Sequence, residues 1–259
     1  MMQWRVLFKK EMIENWRNKK WIWVPLVIIL LAIMDPISNY YMPQILESVG
    51  GLPDGTVLEF PEFAPPEVVM MSLGQLSSLG VLVIVLMSMG TIAGERKSGI
   101  SELIFVKPVS SFNYITSKWA ALLVLIWVSL FLGMLVSWYY TNILFGELSF
   151  MALLQITFFF GLWLMLVISL SIFYNTLFKT PGAVAFLTIL TIILMSIITQ
   201  VFAHVLEWSP NNLSAHILEM LMTEEIPSDL IGSAGITILI SLFLLGFSVI
   251  ALKNKELAA

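Results

Sequence analysis

Long apolar runs alternate with short polar stretches along the whole chain. A hydrocarbon core about 30 Å thick needs about 20 residues of helix to cross it, and six runs are long enough. They lie at about residues 21–41, 68–93, 117–140, 151–178, 183–206 and 230–252. None shows the period-two alternation of an outer-membrane strand. The pattern therefore predicts an all-α membrane protein whose residues 21–259 form one domain of six transmembrane helices, spans one to six.

The segment before the first run, residues 1–20, combines aromatic and basic side chains. Its large apolar residues recur at helical spacing, and its basic residues lie largely between them. The apolar positions are Trp4, Leu7, Phe8, Met12 and Trp16. A basic helix with aromatic anchors lies in the membrane interface and does not cross it. We therefore predict an N-terminal amphipathic interfacial helix, and the alternative is a plain positively charged flank of span one.

The basic residues are confined to one side of the predicted bundle. All 13 Lys and Arg residues lie in four short stretches, while the polar loops at residues 43–67, 141–150 and 207–229 carry acids only. Cationic residues beside transmembrane helices are retained in the cytoplasm. The alternation therefore predicts that both termini are cytoplasmic and that the three acidic loops face outward.

The composition excludes an ordinary soluble domain. Hydrophobic residues make up 59% of the chain and charged residues 12%, whereas a soluble domain is about half apolar and about a quarter charged. The net charge of −4 is the sum of a predicted basic cytoplasmic side and a predicted acidic outer side. Because this segregation is explained by membrane topology, we expect no nucleic-acid partner. The chain has no cysteine, which excludes disulfides and thiolate chemistry.

A few polar side chains interrupt the apolar runs and are candidates for lining a pathway. Asp35 precedes Pro36, which removes a helix hydrogen bond, and an acid inside the outer leaflet is a functional candidate by default. The alternative is an acid that snorkels to the interface or caps a kink. The pathway candidates are Asp35, Gln75, Asn175, Gln200 and His204.

Enzyme motifs are missing from the sequence. The chain has two histidines, no H-E-x-x-H pattern, no G-x-S-x-G elbow and no Walker A pattern. We predict that it has no catalytic site, no metal site and no cofactor of its own. If it moves a substrate uphill, the energy comes from a partner or from an ion gradient.

The most specific stretch is the loop between spans two and three. It reads E-R-K-S-G-I-S-E-L-I-F-V-K-P-V-S from Glu95 to Ser110, and Lys118 follows eight residues later. Gly99 permits a sharp bend, and the serine and glutamate after it suit the first turn of a helix. The loop is therefore a short charged helix on the cytoplasmic face, or an amphipathic turn lying on the membrane.

This pattern, within a chain of six spans, resembles the signature of type-2 ATP-binding-cassette (ABC) transporter permeases. In that family the loop is a cytoplasmic coupling helix that docks into a separate ATPase subunit. The resemblance assigns ATPase coupling to Glu95, Arg96, Ser98, Gly99, Glu102, Leu103, Ile104, Phe105, Pro108, Val109, Ser110 and Lys118. Ile100 and Ser111 depart from the Thr and Arg that relatives often carry there.

The resemblance also implies partners and a location. It implies a permease subunit, and we expect an exporter, in the inner (plasma) membrane of a bacterial cell. Two ATPase subunits would bind ATP and magnesium, and a second permease subunit, as homodimer or close paralogue, would complete a pathway formed chiefly by spans one, two and five. Membrane lipid is a further partner. The substrate is open, because an amphiphile, a peptide and a glycolipid fit equally well.

A gradient-driven secondary carrier or channel that acts without an ATPase is the alternative. It would need paired ionisable residues inside the membrane as a relay, and Asp35 with His204 is the pair that the sequence offers. An intramembrane enzyme is a third possibility, but the sequence lacks its nucleophile and metal ligands.

Overall fold

The N-terminal helix leads into span one through a tight turn. The computed structural model describes residues 2–48, 63–100 and 109–256, and every regular element within them is helical. The N-terminal helix is Met2–Arg17 and span one is Lys20–Ser48. Lys19, in the turn, has a left-handed backbone with φ of 56°, and its N–H donates to the carbonyl of Trp16 at 2.9 Å. Two residues therefore separate the helices.

Spans three to six are continuous helices, whereas span two is built from several pieces. Span two consists of Pro65–Gln75, a π-helical turn at Leu76–Gly80, Val81–Ser88 and, after a further turn, Ala93–Lys97. Spans three to six are Ser111–Leu144, Phe150–Leu177, Pro181–Val201 and Ser228–Glu256. A 3-10 turn, Pro210–Asn212, and a short helix, Leu213–Thr223, join spans five and six. In the described ranges, six spans are long and apolar enough to cross a membrane, which confirms the predicted fold class.

The end of span five differs from the prediction. The helix stops at Val201 and not near residue 206, because polar side chains hold a turn there. Asn212 Nδ2 donates to the carbonyls of Leu206 and Glu207, each at 3.0 Å. His204, predicted inside span five, is exposed beyond its end. Its position in the turn is a correction to the sequence reading.

Span four lies at the centre of the bundle. Most of its side chains are buried, while most side chains of spans one, five and six are at least partly exposed. Span four packs against spans three, five and six and against the middle of span two. Gly161 of span four lies against the ring of Trp127, and Gly133 of span three lies against Ile28 of span one. Small residues let helices approach closely in lipid. The uncovered faces of spans one, five and six are left for lipid or another chain.

Pro36, one of three prolines in span one, frees a carbonyl that another span satisfies. Pro36 has no N–H, so the carbonyl of Ala32, four residues earlier, loses its helix partner. Ser72 of span two donates to that carbonyl at 2.8 Å, and its hydroxyl lies 2.9 Å from that of Ser137 in span three. All three of Ala32, Ser72 and Ser137 are fully buried. The freed carbonyl therefore ties spans one, two and three together.

Replacing Ser72 by alanine is expected to lower stability, because the buried carbonyl of Ala32 loses its donor at a cost of about 1–3 kcal/mol. Pro36→Ala supplies an N–H that can bond the same carbonyl, so Ser72→Ala should cost less in that background. The melting temperatures of the wild type, both single variants and the double variant in one detergent measure the difference. Strict additivity of the two substitutions would contradict this account.

Candidate functional site

Span two is interrupted between Ser88 and Ala93, and Asn175 of span four binds both sides of the break. Asn175 Oδ1 accepts from the N–H groups of Ile92 and Ala93 at 3.1 and 2.9 Å. Its Nδ2 donates to the carbonyls of Ser88 and Ser171 at 3.1 and 2.8 Å. Backbone groups at helix ends lack helix partners, and Asn175 supplies them here. Asn175 is fully buried, so its side chain holds the break together inside the bundle.

A cluster of buried charges lies where the N-terminal helix, span two and span three meet. The members of this charge cluster are Lys10, Glu11, Glu95, Tyr114 and Lys118. The Nζ of Lys118 lies 2.8 Å from Oε1 of Glu11 and 2.8 Å from Oε1 of Glu95. Lys10 Nζ contacts the same two carboxylates at 2.9 and 2.8 Å. Tyr114 donates a hydrogen bond to the other oxygen of Glu95. Three elements of the fold are thus joined through two carboxylates.

The Glu95–Lys118 pair of the charge cluster is shielded from water, and the cluster is paired internally. Lys118 is 1% exposed and Glu95 is 8% exposed, and buried ions are tolerated when they are paired and hydrogen-bonded. Burial disfavours the charge of Lys10. The negative charge of neighbouring Glu11 and the hydrogen bonds that Lys10 donates to Glu14 and Glu95 outweigh this, and they raise the pKa of Lys10 above its usual range. Oxygens of these three glutamates lie within 4.8 Å of one another. Because two ammonium groups already bind them, we interpret the cluster as an ion-pair network.

The charge cluster joins the two ends of the predicted coupling loop. Glu95 is the first residue of the loop and Lys118 follows the loop, 23 positions later in the chain. Arg96 also turns inward, since its Nη1 donates to the carbonyl of Thr176 in span four at 2.7 Å. These three predicted coupling residues are therefore engaged inside the fold, where they fix the positions of the loop ends.

The other predicted coupling residues lie nearer the loop itself. Ser98 donates to the carbonyl of Gly94 at 2.9 Å, and Gly99 has φ of +75°, a conformation that favours glycine. Val109 is half-buried and Ser110 exposed at the start of span three. The remaining residues, Glu102, Leu103, Ile104, Phe105 and Pro108, lie outside the described ranges. Their assignment to ATPase coupling stays a prediction.

Sequence reasoning missed the contribution of the N-terminal helix to the charge cluster. The available signal was an acid on a helical stripe of large residues. That stripe is Trp4, Phe8, Glu11 and Asn15. Glu11 and Asn15 are buried, and Trp4 Nε1 donates to the hydroxyl of Thr116 in span three at 3.1 Å. Trp16, predicted on the same face as Trp4, is instead 66% exposed. The helix therefore has an inward face that binds span three and an outward face that carries Trp16.

Two pathway candidates meet on the surface shared by spans one and two. Gln75 Nε2 lies 3.4 Å from Oδ1 of Asp35, and Gly74 and Ser78 are exposed beside them at the π-helical turn. We call these four residues the polar face. Asp35 lies fifteen positions after Lys20, which is about 22 Å along a helix. A half-exposed carboxylate therefore lies far from the basic end of span one.

The other pathway candidates lie elsewhere. Gln200 is exposed on span five and its Nε2 lies 3.3 Å from the hydroxyl of Ser196. His204 is exposed in the turn beyond that span, and Asn175 is buried beside the break in span two. The structure thus brings Asp35 and Gln75 together and separates them from Asn175.

An open cleft of about 690 Å³ lies between spans five and six. Its apolar walls include Leu194, Met195, Ile198, Ile236 and Ile240. Residues 205–210 close one end, where the hydroxyls of Thr199 and Ser209 bond each other at 2.7 Å. The lining suits a hydrocarbon chain in its chemistry.

The six apolar helices define a multi-pass membrane protein. The family model described as ABC-2 family transporter protein matches residues 5–230, which is most of the chain, so this protein belongs to the ABC-2 transporter family. It is also similar to YxlG, an uncharacterised transmembrane protein of Bacillus subtilis (strain 168). The two are 30% identical over 251 residues, which cover 96% of this chain and 97% of the relative. The predicted family is therefore confirmed for the chain as a whole.

Proposed function

We propose that this protein is the permease subunit of a bacterial ABC exporter. Two copies form the pathway, and a separate ATPase subunit under each copy supplies the energy of ATP. The basic end, with both termini, faces the cytoplasm. The observation that carries the proposal is the buried contact of 2.8 Å between Glu95 and Lys118. It anchors both ends of the loop whose sequence matches the family's docking element.

Because its ends are anchored, the loop can transmit a displacement imposed by the ATPase subunit. A displacement is passed on efficiently through packed side chains and rigid helices, whereas a loop with loose ends would absorb it. Glu95 and Lys118 belong to spans two and three, and Arg96 adds span four through the carbonyl of Thr176. Movement of an ATPase against the loop would therefore reach three spans at once.

The polar face supports a pathway between two permease copies. An ionised acid at the centre of a hydrocarbon core costs about 2.5–3.5 kcal/mol, and less towards the interface, so the half-exposed Asp35 favours a protein-covered or water-lined surface over lipid. Most side chains of spans one and five are at least partly exposed. A second copy placed against spans one, two and five would cover the polar face and Gln200 around one axis.

The coupling assignment is tested at Leu103, with Leu103→Met as the matched conservative variant. We expect Leu103→Asp to insert normally but to lose ATP-driven movement of the permease. Because the chain has no cysteine, Ser78→Cys on the polar face can report that movement through its maleimide labelling rate with and without ATP and vanadate. Wild-type ATPase co-purification together with a wild-type ATP response in Leu103→Asp would refute the assignment.

Asp35→Asn is expected to impair export more than assembly, because it removes the charge of the polar face and keeps the side-chain shape. The substrate is first identified by mass spectrometry of the amphiphiles that co-purify with the wild-type complex. Export of that compound and co-purification of the ATPase are then measured in the same membranes.

Glu67→Gln is the control for Asp35→Asn, since it makes the same chemical change at an exposed position. Export that is unchanged in Asp35→Asn, or that falls only in step with the amount of protein, would reduce Asp35 to an interfacial anchor.

A further inference from the structure

We propose that the charge cluster is a clamp through which the loop moves the N-terminal helix and span one, with Lys118 as its positioning residue. This inference rests on the proposed ATPase coupling and adds an element that the loop does not contain. Lys118 lies on span three and contacts both the N-terminal helix, through Glu11, and the end of span two, through Glu95. Replacing it removes the most deeply buried of the links between the loop and the N-terminal helix.

The second part of the clamp is Lys10, which bridges the same two carboxylates from the outer side. Its side chain is 41% exposed, whereas that of Lys118 is 1% exposed. Exposed ion pairs are weakened by solvent and salt, and buried pairs much less so. Lys118 is therefore the stronger link, and Lys10 keeps the carboxylates partly neutralised when Lys118 is replaced.

The N-terminal helix is coupled to span one by a short connection. Only Asn18 and Lys19 separate the two helices. Because the connection is so short, a displacement of the N-terminal helix should also displace span one. Span one carries Asp35, so the clamp leads from the loop to the polar face.

The break in span two separates the clamp from the upper part of that span. Glu95 belongs to the piece Ala93–Lys97, below the break, whereas Gln75 lies above it. Span one has no such interruption in its described helix between Lys20 and Asp35. Movement of the clamp would therefore displace Asp35 relative to Gln75 and change the 3.4 Å contact between them.

The test uses the complete complex with its ATPase and the Ser78→Cys reporter. The clamp variant is Glu95→Gln with Lys118→Met, which removes one charge of each sign and leaves Lys10 paired with Glu11. Neutral replacement of a buried pair is tolerated better than removal of one partner. Lys9→Met with Glu67→Gln makes the same two neutralisations at exposed positions and is the control.

We expect the wild type and the control to change their labelling rate when ATP and vanadate are added. In the clamp variant the ratio of the two rates should fall to about one, while the ATPase still co-purifies and hydrolyses ATP. A wild-type ratio in the clamp variant overturns the proposal. Failure of the wild type to bind an ATPase would instead sink the proposed function, so the two failures are distinguishable.

A second experiment covers the case in which the clamp variant does not assemble. Nδ2 of Asn113 in span three lies 3.5 Å from Oε1 of Gln3 in the N-terminal helix. Cysteines introduced by Gln3→Cys and Asn113→Cys can therefore be joined by a short bis-maleimide. If the clamp moves as one body, the joined protein keeps its ATP response, followed here by intrinsic tryptophan fluorescence. Loss of the response on cross-linking, with the uncross-linked double variant responding normally, overturns the proposal.

Discussion

Replacing Asn175 by leucine is expected to lower the free energy of unfolding substantially. The substitution orphans the N–H groups of Ile92 and Ala93. It also takes one of two donors from the carbonyl of Ser88, which keeps the N–H of Thr91 at 3.0 Å. All of these groups lie next to a fully buried side chain. Each unpaired buried group costs about 1–3 kcal/mol. For a chain of this size, a loss of about 3 kcal/mol corresponds to a melting temperature lower by about 6–12 °C.

The measurement is the melting temperature of the detergent-solubilised protein, followed by size-exclusion chromatography after heating. Gln200→Leu is the matched control, because it also replaces an amide by leucine but at an exposed position of span five. The control should melt close to the wild type. If both variants melt at the wild-type temperature, Asn175 does not hold the break in span two.

The second large effect is expected at Gly133, where spans one and three approach each other. A Cβ at this position would lie 2.9 Å from Cγ2 of Ile28 and 3.2 Å from its carbonyl oxygen. The side chain of Ile28 can shift, but its backbone cannot do so without moving span one. Overpacking of this kind costs about 1–3 kcal/mol, and occasionally more, so Gly133→Leu should reduce the amount of correctly assembled protein severely and Gly133→Ala less so.

Gly246→Leu on span six is the control for Gly133→Leu, since a Cβ there meets no atom within 4 Å. Ile28→Ala should rescue Gly133→Ala in part only, because it removes the contact with Cγ2 and leaves the one with the carbonyl. Full-length monodisperse protein is quantified for all variants by fluorescence-detected size exclusion. Equal yields of Gly133→Leu and Gly246→Leu would show that the close approach is not required.

The six spans were predictable because crossing a hydrocarbon core is a requirement on each segment separately. Twenty apolar residues with satisfied backbone groups meet it whatever their neighbours are. The end of span five was not predictable in the same way. The apolar run continues to Leu206, but the helix stops at Val201 because Asn212, farther along the chain, binds the carbonyls of the turn. The hydropathy pattern cannot indicate that contact between residues separated in the chain.

The candidate site was predictable in its residue types and only partly in its arrangement. The loop motif singled out Glu95 and Lys118, and depth in the membrane singled out Asp35. Asn175 was a pathway candidate because a polar side chain in an apolar run suggests a lining position. The structure places it in the interior, where it satisfies a broken helix. A polar residue in a span can line a pathway or satisfy backbone groups of a broken helix, and only its neighbours in the structure distinguish the two roles.

By itself, the sequence determined that this protein is a six-helix membrane protein and which loop matches the docking element of a transporter family. Those conclusions follow from local length, composition and spacing. Only the tertiary structure decided that Lys118 binds Glu11, 107 positions away, and that Ser72 satisfies the carbonyl freed by Pro36. Such pairings depend on which helices pack together and in what register. In a medium without water, each buried charge or freed carbonyl is stabilised by whatever partner that packing supplies.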